Sequence, residues 1–304
     1  MSTTINEKAL LERLDEYKQE HSSAFYDKEI TDEQMLSSLK EHIEFDNVIT
    51  ILLRGSRATG RNNPYSDVDI VVIKEKNSYQ TITFKDINGV RYNIKICNKN
   101  FFDNEHMLRF HYGMRILYGN KEIGEEIINK IQKYEEETCN SIVKKCPDHK
   151  KYLYELLEFI DDKDPITSAF AKAKLLSEYP AYLAHYNGFN LIGFKTIIDC
   201  LIRDNYPLAC VYLKALNKKS TKEDLKELVD KSFDELCGIN ILDRNFKNCK
   251  KANDIGIYKL YNDYSCFLEL IDSLKPKDML GIDFLLECNK KAPKLFNELW
   301  SFIN

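Results

Sequence analysis

A chain of 304 residues with 44 basic and 48 acidic side chains carries a formal net charge of -4 and lacks the basic excess of a protein built to grip a large nucleic acid. Its 43% hydrophobic content, with only 11 Gly and 7 Pro, suits two domains with cores of their own and leaves no composition for a flexible linker. The charged stretch Met1 to Glu20 argues against a signal peptide, no apolar run is long enough to span a membrane, and nine scattered cysteines without a CxxC pair read as buried thiols of a reducing cytoplasm.

Taken in chain order, residues 6–19 and 31–44 place apolar side chains at helical spacing, the second helix opening on Thr31 with Asp32 and Glu33 in its first turn. Val48 to Leu53 and Asp69 to Ile73 are short, β-rich apolar runs. Gln80 to Phe84 and Val90 to Ile96 flank Asn88-Gly89, which predicts a hairpin closed by a two-residue turn. Arg109 to Tyr118 adds a helical turn and a short strand, and Asp86 falls near the hairpin tip.

Beyond this point the chain reads as nearly all helix: 122–137, 150–161, 168–185, 194–204, 209–216, 222–236, 257–274 and 293–302. The predicted class is therefore α+β, a small mixed sheet flanked by helices over residues 1–121 followed by an all-α domain over 122–304. A fully parallel sheet of βαβ units is disfavoured, because the strands read as hairpin neighbours.

The chemistry concentrates in Leu52 to Ile73, LLRGSRATGRNNPYSDVDIVVI. A buried strand runs into Gly55-Ser56, a polar loop follows, and Ser66-Asp67-Val68-Asp69 enters a second strand. Gly55 permits close backbone approach to an anion, and Ser56 can donate hydrogen bonds to phosphate oxygens. Asp67 and Asp69, two apart on a strand, present both carboxylates to one face. Such a pair suits Mg²⁺, a hard cation that shares its shell with substrate phosphates, and two such ions can clamp an in-line displacement at phosphorus. Arg54, Arg57 and Arg61 are candidate triphosphate partners, with Arg57 preferred.

At Gly55, Ser56, Asp67 and Asp69 the sequence resembles the nucleotidyltransferase superfamily that includes DNA polymerase β, in particular its antibiotic and minimal nucleotidyltransferase branch with a C-terminal helical domain. Arg115 to Asn120 looks like the closing strand of that domain, and Tyr186 to Lys195 like a segment of its helical partner. The resemblance implies Mg²⁺-dependent transfer of a nucleoside monophosphate from ATP or another NTP to a hydroxyl of a small acceptor, aminoglycoside-like, with release of pyrophosphate. It implies Asp67 and Asp69 as catalytic metal ligands, nucleotide contacts from Gly55, Ser56, Arg57, Ser66 and Lys195, and a general base from the helical domain, for which Glu155, Glu158 and Glu178 are candidates and Glu158 is preferred.

One position departs from the pattern. The third acidic residue that the resemblance leads one to expect aligns with Asn93, whose amide oxygen can join a metal shell but cannot take up a proton. The alternatives are an impaired NTP-binding protein and a toxin-like transferase acting on protein or tRNA. The histidines, including His106, His111 and His185, lack metal-binding spacing and read as structural, and Tyr179, Tyr182 and Tyr186 form a stripe at helical spacing.

Overall fold

The computed structural model describes residues 5–21, 30–60, 62, 66–76, 79–86, 89–104, 108, 113–142, 146–160, 163–187, 194–233, 239–240 and 256–303. Two helices precede the first strand, α1 (Glu7–His21) and α2 (Asp32–His42). Thr31 caps α2 in a capping box, its hydroxyl accepting from the Gln34 amide while the Gln34 side chain accepts from the Thr31 amide. The reciprocal partner is thus Gln34, and Asp32 and Glu33 add favourable charge at the positive end of the helix.

Strands β1 (Val48–Arg54), β2 (Val68–Lys74), β3 (Gln80–Lys85), β4 (Arg91–Cys97) and β5 (Arg115–Gly119) form one mixed sheet in the order β3-β4-β2-β1-β5. A four-residue helix α3 (Gly55–Ala58) follows β1 directly. β1 pairs antiparallel with β2 and β5, β3 pairs antiparallel with β4, and β4 runs parallel to β2. The hairpin reading captures β3 and β4 but not the parallel pair. β3 is the more polar strand, with exposed residues alternating along it, so it takes the edge, while apolar β4 inserts beside β2. At the hairpin end the Asp86 N–H donates to Val90 O at 2.9 Å, and Gly89 sits at φ +79°. Asn88 lies outside the described residues.

Both faces of the sheet are covered, which is why β1 and β2 are near-continuous apolar runs. Met35 and Leu39 of α2 pack on Ile51, Leu53, Ile70 and Ile94. On the other face Ile127 and Ile131 of α4 (Lys121–Ile142) pack on Leu52, Val71, Ile73 and Cys97.

The remaining helices are α5 (Cys146–Phe159), α6 (Pro165–Tyr186), α7 (Phe194–Asp204), α8 (Tyr206–Leu216), α9 (Lys222–Phe233), α10 (Ile257–Leu274), α11 (Gly281–Lys291) and α12 (Pro293–Trp300). They enclose one core built on residues such as Leu175, Tyr179, Leu201, Tyr212 and Phe267. Helix α1 contributes Leu14 to this core, and Lys18 bridges to Glu298 at 2.7 Å while Glu7 accepts from the Lys294 amide at 2.8 Å. Sequence order and packing therefore cross: α1 joins the helical body, and α4, which follows the last strand, joins the sheet. Among the described residues no helix is long and apolar enough to cross a membrane.

Candidate active site

β1 ends at Arg54, and the chain turns at once through Gly55, whose φ of +72° lies in the left-handed region. A side chain here would be strained and crowded, because an added Cβ would stand 3.0 Å from Asp69 Oδ2. The glycine is thus required by a close approach between the turn and a carboxylate. Ser56 and Arg57 follow in α3, Ser56 half-buried and Arg57 buried. With four residues α3 is too short to count as a helix-terminus anion site, so any phosphate contact rests on the Gly55-Ser56 turn itself.

The register of the sheet gathers the acidic residues. Arg54 lies opposite Asp69 across the β1–β2 pair, and Asp69 lies beside Asn93 across the β2–β4 pair. Period-two alternation puts Asp69, Asn93 and Lys95 on the same face as Val71 and Cys97, the face that α4 covers further along. Asp67 precedes β2 by one residue, and its Oδ2 accepts from Asn93 Nδ2 at 2.6 Å. Asp69 Oδ1 accepts from Arg54 Nη2 at 3.1 Å, and its Oδ2 is the atom that faces Gly55. Thr83 on β3 reaches Asn93 Oδ1 at 3.5 Å. The Lys95 amine is pushed below the usual lysine range by burial, with Arg54 adding to the shift and Asp69 opposing it.

Arg57 has a different place from the one expected. Its Nε donates to the Asp67 carbonyl at 3.0 Å and its Nη2 to the Ser66 carbonyl at 2.7 Å. Only 8% exposed, it braces from inside the loop that delivers Asp67. Ser66, expected among the nucleotide contacts, is fully buried and belongs to the same internal brace. Asp86 caps the hairpin through its Oδ1 and the Val90 amide at 2.8 Å, away from the carboxylate pair in register.

Glu158 lies on the exposed side of α5. Glu155 is also exposed, whereas Glu178 accepts from Lys174 and from the Tyr182 hydroxyl, each at 3.0 Å. Lys195 is in the first turn of α7 with its side chain outside the described residues, as are Arg61, His106, His111 and the segment 188–193. His185 packs against His149, their Nδ1 atoms 3.4 Å apart, and Tyr179 is core, bonded to Ser232 at 2.6 Å.

Sequence reasoning passed over Lys95 and the ion pair of Arg54. The signal for Lys95 was present, since residues 93 and 95 alternate onto one face. The Arg54–Asp69 partnership depends on an antiparallel register that the sequence does not announce.

Two carboxylates and an amide oxygen are hard donors, and Mg²⁺ is held by one or two carboxylates together with substrate phosphates. Asp67 and Asp69 fit one such ion. Among the described residues no group of three or more His, Cys, Asp or Glu gathers, so a second ion would depend on Asn93 and on the substrate.

Part of the sequence matches a known protein family. Residues 33–168 match the family model of the nucleotidyltransferase domain. The matched span, a little under half of the chain, runs from α2 through the sheet and α4 into the first turn of α6. The crystal structure of a nucleotidyltransferase-like protein from Exiguobacterium sibiricum aligns with 89% of this chain and 91% of its own length, at 11% identity and a TM-score of 0.31. A score that low carries nothing about the site. No curated protein matches the sequence.

Proposed function

We propose that this protein transfers a nucleoside monophosphate from ATP or another NTP to a hydroxyl of a small acceptor, aminoglycoside-like, in a cytoplasmic setting. The observation that carries the reading is the meeting of the Gly55 turn with Asp69 Oδ2, in a sheet that also sets Asp67 beside Asn93. In the reaction the acceptor oxygen bonds to the α-phosphorus, the bond to the bridging oxygen breaks, and pyrophosphate leaves with the electron pair.

Asp67 and Asp69 are the residues proposed to hold Mg²⁺, probed as one ion or two, with Asn93 offering an amide oxygen. When bound, the metal would neutralise charge developing on the transferred phosphoryl group. Gly55 and Ser56 form the proposed phosphate turn, with Arg57 and Ser66 positioning Asp67. Lys195 is the proposed contact from the helical body, and Glu158 the proposed acceptor of the hydroxyl proton.

Packing supports a catalytic unit centred on the sheet with α2 and α4, and an acceptor-side helical body that includes α1. A nucleotide binder without turnover is the second reading, favoured by the Asn93 amide and the Arg54 guanidinium already satisfying the two carboxylates. Pyrophosphate release from labelled NTPs with Mg²⁺ and pooled acceptors separates the two. Asp67→Asn and Asp69→Asn are each expected to lower turnover by at least about a hundredfold. Wild-type turnover that survives both substitutions would overturn the assignment.

A further inference from the structure

The helical body contains an open hollow of about 520 Å³ lined by α5, α6, α10, the 275–280 connection and the start of α11. That volume falls within the range of roughly 300–1,000 Å³ typical of small-molecule sites. No residue of the sheet lines it. Its floor is apolar, formed by Leu156, Ala171, Leu268 and Ile271, with the rings of Tyr152 and Phe170 on its walls.

Two further observations argue that the cavity is built to be filled. Phe159 and Leu280 stand at its mouth, 52% and 69% exposed, and they are two of the five large hydrophobic side chains left exposed among the described residues. Apolar side chains concentrated at the rim of a hollow mark a surface that a ligand covers. The lining is closely fitted at Gly281, where a Cβ would stand 3.1 Å from Ile271 Cγ2 and 3.1 Å from Phe170 Cζ. Glycine lets the first turn of α11 close onto α10 and α6 and leave the hollow with a fixed shape.

The polar lining selects the kind of ligand. Lys174 is bonded to Glu178 at 3.0 Å, and Glu178 also accepts from Tyr182 at 3.0 Å. At the mouth, Lys275 lies 3.7 Å from Asp272. Every charged group lining the cavity thus has an opposite charge beside it, and the lining is neutral as a whole. Burial and the neighbouring Glu178 push the Tyr152 phenol above its ordinary range, so it stays protonated at neutral pH and can exchange hydrogen bonds with an uncharged group. A polyanion such as an NTP, or a polycation, would find no unmatched charge here.

We infer that this cavity binds a neutral, ring-bearing amphipathic small molecule, its apolar body between Phe170, Ile271 and Leu280 and a hydroxyl, carbonyl or amide end toward Tyr152 and Lys174. The site does not depend on the transferase reading, since none of its residues belongs to the Gly55–Asp69 cluster.

The test is a fluorescence titration of the full chain with N-phenyl-1-naphthylamine, a neutral probe that brightens in apolar surroundings. Saturable binding of one probe per chain is expected, undisturbed by ATP with Mg²⁺. Ala171→Phe, which fills the floor, should weaken binding at least tenfold. Should that variant fail to fold, Leu280→Glu decides, because Leu280 is exposed and its replacement by a charge at the mouth should weaken binding at least tenfold with the thermal midpoint unchanged. Anilinonaphthalenesulfonate, the same body with a negative charge, should bind at least tenfold more weakly than the neutral probe. Absence of saturable binding, wild-type affinity in a folded Leu280→Glu variant, equal affinity for the sulfonated probe, or displacement by ATP would each overturn the inference.

Discussion

Replacing Gly55 by alanine tests whether the Gly55-Ser56 turn and Asp69 are one structural unit. At φ +72° an alanine incurs the left-handed penalty, about 1–2 kcal/mol. Its Cβ also lands 3.0 Å from Asp69 Oδ2, close enough that the carboxylate must shift by a few tenths of an ångström, at a further cost of about 0.5–1.5 kcal/mol. Together these predict a loss of about 1.5–3.5 kcal/mol, or a thermal midpoint lower by about 3–14 °C. Gly60 is the internal control: its φ is +70°, but an added Cβ meets nothing within 4 Å. Gly60→Ala should therefore show the backbone penalty alone, about 1–2 kcal/mol, and leave turnover near wild type. On the transferase reading, Gly55→Ala should also lower turnover on the order of tenfold to a hundredfold, since Asp69 would be displaced. Differential scanning calorimetry and pyrophosphate release, run on both variants, give the comparison. Equal destabilisation and equal turnover in the two would refute the coupling between the turn and Asp69.

Arg57→Lys replaces a fork that spans two successive carbonyls by a single point donor, leaving a buried acceptor unsatisfied. Urea unfolding should show a loss of about 1–3 kcal/mol, and an unchanged midpoint would remove the brace from the account. Asn93→Asp sets a carboxylate where an amide now donates to Asp67 at 2.6 Å; metal-free stability should fall through like-charge repulsion, and Mg²⁺ should raise the midpoint more than in wild type. An identical Mg²⁺ response in the two proteins would place Asn93 outside the metal shell.

For pH, the Asp32 carboxyl is held below its usual range, chiefly by hydrogen bonds from Arg115 at 2.5 and 2.7 Å. A lowered folded value means that this contribution is complete above the ordinary carboxyl range and is lost as pH falls through the lowered value. The gap in midpoint between wild type and Asp32→Asn should therefore narrow as pH is lowered from about 6 to about 3, and a gap constant with pH would contradict the pairing. Thiol labelling should reach exposed Cys210 well before buried Cys97, whose thiol burial pushes up to about 12; peptide mapping reads the order.

The parts legible from sequence are those decided locally. Periodicity placed α7 at 194–204 and α10 at 257–274 at the bounds the structure has, and uninterrupted apolar runs marked β1 and β2 because both faces of those strands are buried. Gly-Ser followed by Asp-x-Asp was legible because backbone freedom and alternation are properties of neighbouring residues. Strand order was not, since the parallel pairing of β4 with β2 is decided by competition among strands for covered positions. Helix α1 reads as a partner of the sheet by proximity in sequence, yet Leu14 finds its cover in the helical body. Helix α11 was missed altogether: it opens on Gly281, a poor helix former whose value lies in its contact with Phe170 and Ile271. The inward direction of Arg57 is likewise a tertiary fact, because an arginine beside a phosphate turn reads as a ligand until two carbonyls claim it.

On the transferase reading proposed above, the distribution of charge around the carboxylates bears on how the site would take up metal and nucleotide. Asp69 gives one oxygen to Arg54 and turns the other toward Gly55, while Asp67 gives one oxygen to an amide where a third carboxylate is expected. With Arg54 beside Asp69 and Lys95 on the same face, the two negative charges are balanced by two positive ones. A divalent cation entering alone must compete with Arg54 for Asp69 and gains little net attraction. A triphosphate alters that balance, because its oxygens can engage the Gly55-Ser56 turn and bring negative charge to the same place. On that reading the arrangement would favour joint entry of metal and nucleotide over a site charged with metal in advance. On this argument Asn93 is consistent with the rest of the site: a third carboxylate would shift the balance toward metal held without substrate, and its amide keeps Asp67 oriented while leaving the nucleotide to complete the charge.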